Sequence, residues 1–165
     1  MNNSLDKKRV PLWVKYAVFG FVALLFTVLD QLTKVWIENV AGGVEGKGIV
    51  VIKNILNFTY IKNDGASMGI LGGQRIILII LTLGIIALGV WFFVKKKPSH
   101  LLVLTASSLI LSGAVGNLVD RVLFGFVRDF IDLQFIKFYV FNVADCCICI
   151  GAALLVVYAF GHIEE

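Results

Sequence analysis

Four long apolar runs constrain the fold of this chain more than any other feature of its sequence. They span residues 16–33, 76–94, 101–119 and 138–161, and the only charged residues inside them are Asp30 and Asp145. A helix needs roughly 20 apolar residues, at about 1.5 Å per residue, to cross the hydrocarbon core of a bilayer. The sequence therefore predicts an all-α polytopic membrane protein with four transmembrane helices.

The composition supports the same fold class. Hydrophobic residues make up 59% of the chain and charged residues only 16%, and the mean hydropathy is +0.91. Such values are typical of membrane proteins. We expect one integral membrane domain over residues 1–165, with helices at about 16–34, 75–94, 101–119 and 139–161 and longer loops at about 35–74 and 120–138.

The basic residues predict the orientation in the membrane. Lys7, Lys8, Arg9 and Lys15 precede the first run, and residues 95–97 are all lysine. Since Lys and Arg accumulate in cytoplasmic loops, we expect both termini in the cytoplasm and the two longer loops outside. These basic residues flank helices and form no patch interleaved with aromatic residues, so we expect no nucleic-acid partner.

The first outer loop contains a segment with the pattern of a β-strand. In "IVVIKNILNFTYIKN" (49–63) β-branched residues are frequent and the pattern partly alternates. Asn57, Thr59 and Ile61 should face one way, and Phe58 and Tyr60 the other. The sequence predicts a small extracytoplasmic β-like element at the membrane surface.

Polar residues gather at the outer level of the predicted helices. Singly, each has a local explanation: Asp30 and Lys34 form an i,i+4 pair, and Asn142 with Asp145 resembles a capping box. Ionisable residues at membrane depth are nevertheless rare and are candidates for function. Four separate segments bring Asp or Asn to this level, which favours a convergent carboxylate site formed by Asp30, Asn63, Asp64, Asn117, Asp120, Arg121, Asp129, Asp132, Asn142 and Asp145.

Such a site can perform more than one kind of chemistry. Two neighbouring carboxylates cannot both ionise easily, so one keeps a proton while the other takes a proton from water, as in aspartic proteases. Several Asp and Asn side chains can instead hold Mg²⁺. Both histidines, His100 and His162, are predicted on the opposite side of the membrane, which argues against zinc. A proton-coupled transporter, a metal-dependent lipid-phosphate enzyme and a non-enzymatic assembly subunit are the other hypotheses.

Two further motifs are interpreted without catalytic roles. "GASMG" (65–69) fits the G-x-S-x-G pattern with Ser67 as nucleophile, but that chemistry needs a histidine within reach. The cysteines at 146, 147 and 149 cluster without a second pair or a nearby histidine. We interpret them as small apolar residues that pack between helices.

The motifs, taken in order, resemble those of the lipoprotein signal peptidases, the signal peptidase II family. They are "DQLTK" (30–34), "NDGASMG" (63–69), "SGAVGNLVDR" (112–121), "VRDFID" (127–132) and "FNVAD" (141–145). The resemblance implies an aspartic endopeptidase of the bacterial inner membrane that needs no metal or cofactor. It implies that the substrates are prolipoproteins, cut before a diacylglyceryl-modified cysteine. It also implies contact with membrane lipid and inhibition by globomycin-type cyclic peptides. We expect the protein to be monomeric.

The resemblance assigns roles to residues that match the family's motifs. The catalytic pair falls on Asp129 and Asp145. Positions that support the site or bind substrate fall on Asp30, Lys34, Asn63, Gly65, Gly116, Asn117, Asp120, Arg121, Asn142 and Ala144.

Three positions depart from the family's usual pattern. Ser112 stands where glycine is usual, and Met68 stands where an aromatic residue is common. Arg128 stands where the family usually has an apolar residue. A cation beside Asp129 would favour its ionised form if the side chain pointed inward, so the sequence leaves open which aspartate of the pair holds the proton.

Overall fold

A computed structural model describes residues 11–66 and 71–161 of the chain. In the described residues there are four long helices: α1 (Leu12–Val40), α2 (Arg75–Lys96), α3 (Leu101–Leu123) and α4 (Val143–Gly161). Each is long and apolar enough to cross a membrane. Three strands accompany them: β1 (Gly48–Ile52), β2 (Leu56–Asn63) and β3 (Val127–Leu133). The four predicted helices are therefore confirmed.

Helix α3 lies at the centre of the bundle, packed against α4, α1 and α2. Glycines let α3 and α4 approach each other closely. A Cβ atom at Gly151 would lie 2.6 Å from the carbonyl oxygen of Ala106, and a Cβ atom at Gly113 would collide with the carbonyl of Ala144. Small residues at such crossings are typical of membrane helices. In lipid the hydrophobic effect hardly favours helix association, so close van der Waals packing must stabilise the contact.

The strands form one antiparallel sheet in the order β1-β2-β3. Tyr60 of β2 is fully buried with Ile37, Ala41 and Phe130, and Phe58 packs against the same cluster. The predicted common face of Phe58 and Tyr60 is confirmed. The sheet therefore rests on the last turns of α1.

The third strand differs from the sequence prediction, which placed a β-like element in the first outer loop only and assigned residues 120–138 to a loop. In the structure β3 pairs with β2 along its length, with Leu56 opposite Leu133 and Asn63 opposite Val127. Its first four residues, from Val127 to Phe130, are all buried. A strand covered on both faces shows no alternation of polar and apolar residues, so its sequence pattern gives little signal.

Four helix boundaries also differ from the prediction by four residues or more. Helix α1 begins at Leu12 and not at about residue 16. Helix α3 continues past the predicted end at about residue 119 to Leu123, so Asp120 and Arg121 lie in its last turn and not in a loop. Helix α1 continues beyond the predicted end at about residue 34 to Val40, so Asp30 lies inside the helix. Helix α4 begins at Val143, since Phe141 pairs with Ile131 of β3 in an isolated bridge. His162, Ser67 and Met68 lie outside the described residues.

Candidate active site

Helix α1 contributes a buried ion pair to the site. Lys34 and Asp30 are 0% and 1% exposed, and Nζ of Lys34 lies 2.8 Å from Oδ2 of Asp30. The second carboxylate oxygen of Asp30 accepts a hydrogen bond from the backbone N–H of Ala144 at 2.9 Å. The i,i+4 pair predicted from the sequence is confirmed. Because the pair is buried, removing either charge would leave the other uncompensated. The bond from Ala144 also connects the pair on α1 to the first turn of α4.

Lys34 also orients a side chain of α3. Its Nζ donates to Oδ1 of Asn117 at 3.0 Å. The amide Nδ2 of Asn117 in turn donates to Oδ1 of Asp145 at 2.8 Å. Since an amide has one acceptor and one donor end, the lysine fixes which end faces Asp145.

The start of α4 has the reciprocal bonds of a capping box. The backbone N–H of Asp145 donates to Oδ1 of Asn142 at 3.0 Å. The backbone N–H of Asn142 donates to Oδ2 of Asp145 at 3.1 Å. The capping box predicted from the sequence is confirmed, and it places the Asp145 carboxylate in the first turn, where a helix stabilises negative charge.

Asp129 reaches the site from β3. Its carboxylate accepts a hydrogen bond from Nδ2 of Asn63 at 2.8 Å and another from Nδ2 of Asn142 at 2.6 Å. Burial first, and then the negative charge of Asp145, raise the pKa of Asp129 to about 7, although these two hydrogen bonds lower it. A carboxyl group of this kind holds a proton near neutral pH.

Asn142 links the two aspartates. It is fully buried, its side chain donates to Asp129, and its backbone donates to Asp145. The two carboxylates therefore lie on either side of one residue and repel each other. One protonated and one ionised carboxyl group in this arrangement can act together as an acid and a base.

The Arg128 side chain points away from Asp129. It is 2% exposed and forms ion pairs with Asp120 at 2.7 Å and Glu38 at 3.1 Å. Successive residues of a strand face opposite sides, which explains this direction. Arg128 would favour the ionised form of Asp129 only if its side chain pointed toward that carboxylate, and it does not.

Arg121 of α3 contacts the first outer loop beside the site. Its Nη2 donates to the carbonyl oxygen of Gly65 at 2.9 Å. Its buried Nε has no hydrogen-bond partner within residues 11–66 and 71–161. A buried donor costs free energy until it is paired with a hydrogen-bond acceptor.

Two predicted positions act through their size or backbone. A Cβ atom at Gly116 would lie 2.5 Å from Oδ2 of Asp30. The backbone N–H of Gly65 donates to Oδ1 of Asn63 at 3.0 Å, which turns the amide of Asn63 toward Asp129. Both residues therefore fix the position of a neighbouring polar side chain.

The structure separates two aspartates from the site. Asp64 is exposed, and Asp132 accepts a hydrogen bond from Thr59 at 3.0 Å on the sheet. Conversely, the sequence analysis missed Gln31 and Glu38, which bond to Arg128. Gln31, Lys34 and Glu38 are spaced i, i+3, i+7 and so lie on one face of α1. This polar face could have indicated from the sequence that Gln31 and Glu38 belong near the site.

Other donor sets do not assemble in the described part of the chain. No group of three His, Cys, Asp or Glu side chains there could hold a metal ion. Cys146 is half-buried, Cys147 is buried and Cys149 is exposed, and all three are free thiols.

The chain has many relatives of one kind. A family model described as signal peptidase (SPase) II matches residues 22–161. The lipoprotein signal peptidase of Clostridioides difficile (strain 630) is 38% identical over 86% of this chain and 93% of the relative. That of Halothermothrix orenii is 38% identical over 83% of this chain and 91% of the relative.

Solved structures agree with the sequence comparison. A bacterial membrane enzyme determined by the in meso method at 2.3 Å resolution is 35% identical, with a TM-score of 0.82 over 88% of both chains. A second, determined at 1.9 Å, is 36% identical with a TM-score of 0.79 over 87% of this chain and 92% of the other. The chain is thus a multi-pass membrane protein. It belongs to the signal peptidase II family, whose members are aspartic peptidases.

Proposed function

We propose that this protein removes the signal peptide from diacylglyceryl-modified prolipoproteins, cutting before the lipidated cysteine. The observation that carries the proposal is the aspartate pair, Asp129 and Asp145, joined through Asn142 at the end of the bundle where α4 begins. Family membership and the named activity of the relatives support it. No observation favours a proton-coupled transporter.

In the proposed mechanism, Asp145 is the base and Asp129 the acid. Two donors and the α4 terminus stabilise the negative charge of Asp145, whereas the pKa of Asp129 is raised to about 7. Asp145 takes a proton from water, the water oxygen attacks the scissile carbonyl carbon, and Asp129 gives its proton to the carbonyl oxygen. When the C–N bond breaks, Asp145 gives its proton to the leaving amine and Asp129 recovers one from the diol.

The other residues of the site hold the pair and the substrate. Asn63, Asn117 and Asn142 fix the carboxylates through hydrogen bonds. The guanidinium of Arg121, whose Nε has no partner among the described residues, would donate to the substrate backbone. The lipid-exposed helix faces would hold the signal helix and the acyl chains of the substrate. Near the membrane surface, water can reach the pair.

The proposal includes an orientation. The lysines at 95–97 lie where α2 ends, which is the end of the bundle opposite the aspartate pair. With that basic end in the cytoplasm, both termini are cytoplasmic, and the site faces the outside of the bacterial inner membrane. The proposal further includes a monomeric enzyme that globomycin-type cyclic peptides inhibit by occupying the substrate groove.

Mass spectrometry of cleavage products tests the proposal. Purified full-length protein in detergent is mixed with a diacylglyceryl-modified prolipoprotein, and in parallel with the same precursor before lipid modification. We expect cleavage of the modified precursor alone, with the lipidated cysteine as the new N-terminus. Cleavage at another bond, or no cleavage by folded protein, would contradict the proposal.

A further inference from the structure

Arg128 is the centre of a charge network behind the aspartate pair. It lies on β3 and is 2% exposed, although it carries a permanent charge. Its guanidinium donates to Asp120 and Gln31 through Nη2 and to Glu38 through Nη1. One side chain thus connects α1, α3 and β3.

Asp120 holds residue 128 by both its side chain and its backbone. Nε and Nη2 of Arg128 lie 3.1 and 2.7 Å from the two carboxylate oxygens, and the backbone N–H donates to Oδ2 at 2.9 Å. Two parallel bonds between a guanidinium and a carboxylate fix direction as well as distance. The ring of Phe124, whose centroid is 4.5 Å from the guanidinium carbon, covers the guanidinium.

This attachment determines where Asp129 lies. Arg128 and Asp129 are consecutive residues of one strand, so fixing one on its face fixes the height of the other on the opposite face. Asp129 receives its two amide hydrogen bonds at 2.6 and 2.8 Å. A small shift of β3 would disturb this geometry.

The network also determines which carboxylate forms the closer ion pair with Lys34. Nζ of Lys34 lies 2.8 Å from Asp30 but 3.6 Å from Asp120. Because Arg128 neutralises Asp120, Lys34 remains free to donate to Asn117. Without the guanidinium, Lys34 would be the cation nearest to two buried carboxylates and would be drawn toward Asp120, away from Asn117.

We propose that Arg128 is a positioning residue for the reaction: it holds Asp129 through β3, and it holds Asp145 through the contact between Lys34 and Asn117. This inference rests on the proposed peptidase function. Arg128 itself faces away from the reacting atoms, so its removal should lower kcat and leave KM nearly unchanged.

The chain offers a matched control for this test. Lys62 lies opposite Arg128 on the neighbouring strand, carries the same charge and is exposed. Arg128→Met, Arg128→Lys and Lys62→Met are compared with wild type in the prolipoprotein cleavage assay, with rates divided by the folded fraction. We expect Arg128→Met to lower kcat by roughly 10- to 100-fold, the scale of a misplaced catalytic group. Arg128→Lys should recover part of the loss, and Lys62→Met should match wild type.

Hydrogen exchange at the backbone amides of β3 gives a readout that needs no activity. We expect faster exchange over Val127–Leu133 in Arg128→Met than in Lys62→Met. If Arg128→Met does not fold, Arg128→Lys provides the test. A single ammonium group cannot make both bonds to Asp120, so kcat should still fall. Wild-type kcat in a folded Arg128 variant, or unchanged β3 exchange, would overturn the inference. Absence of cleavage by wild type would overturn the proposed function instead.

Discussion

The side chain of Asn142 donates a hydrogen bond to the carboxylate of Asp129, with Nδ2 2.6 Å from Oδ1. The other end of the same amide caps α4, where Oδ1 accepts the backbone N–H of Asp145. The residue therefore has a structural role in the helix and a separate role toward Asp129. A substitution that keeps the first and removes the second can distinguish them.

Asn142→Ser is that substitution. Serine caps helices about as well as asparagine, but its short hydroxyl cannot reach Asp129. We expect α4 to keep its stability while cleavage falls by about 100-fold, the scale of a disturbed proton-transfer group. Thermal melting and cleavage rates check this. Asn142→Ala, which loses the cap too, should cost about 1 kcal/mol more stability than Asn142→Ser; equal melting of the two would contradict the capping role.

The pH dependence of cleavage should follow the proton on Asp129. Burial and the charge of Asp145 raise the pKa of Asp129 to about 7, and the proposed mechanism needs that proton. The active form is therefore present below this pKa and is lost as pH rises through it, so kcat/KM should decline above about pH 7. Steady-state rates between pH 5 and pH 9 measure this, and a rate that stays constant to the alkaline end would contradict the assignment of Asp129 as the acid.

Removal of Lys34 should destabilise the protein. Lys34→Met leaves the buried carboxylate of Asp30 without its closest cation, which typically costs about 3–5 kcal/mol. Lys34→Met combined with Asp30→Asn should regain much of that loss, because the charge that needed compensation is gone. Unfolding of the three proteins in one detergent gives the comparison.

Lys15→Met is the control for Lys34→Met. Lys15 is also on α1, but it is partly exposed, and its Nζ donates to the carbonyl oxygen of Ser99 at 3.0 Å. We expect a change within about 0.5 kcal/mol, as for most surface substitutions. A loss as large as that of Lys34→Met would show that the ion pair is not the cause.

A methyl group at Gly116 should disturb the site through Asp30. The added Cβ would lie 2.5 Å from Oδ2 of Asp30 and 3.3 Å from Cβ of Ala144, so the Asp30 carboxylate must shift from its position beside Lys34. We expect Gly116→Ala to lower both stability and cleavage. Gly84→Ala is the matched control on α2, since no atom of the described residues lies within 4 Å of a Cβ added there. Alanine at this position should retain wild-type activity. Equal behaviour of the two variants would contradict the close packing around Asp30.

The sequence predicted what depends on local pattern. The four helices follow from run length, and the Asp30–Lys34 pair and the Asn142–Asp145 capping box follow from fixed spacings within one helix. Such interactions need only one element to form, so their geometry is set by helical periodicity.

What the sequence did not predict depends on several elements meeting. The first four residues of β3 are buried, and the strand forms by pairing with β2. Its sequence therefore lacks the alternation of polar and apolar residues that would have predicted a strand. The extension of α1 to Val40 is stabilised where Glu38 meets Arg128 of β3. The direction of Arg128 follows from the alternation of side chains along β3 and from its ion pair with Asp120 of α3. Neither could be predicted while β3 itself was assigned to a loop.

The most direct test of the central claim is cleavage of a diacylglyceryl-modified prolipoprotein in the presence of EDTA by wild type, Asp129→Asn and Asp145→Asn. Thermal melting first shows that all three are folded. We expect wild type to cut at an undiminished rate, since the proposed mechanism uses only the two carboxyl groups, and both variants to lose activity by a factor of about 100 to 10,000. Loss of wild-type cleavage in EDTA, or near-normal cleavage by either folded variant, would contradict the aspartate pair as the catalytic centre.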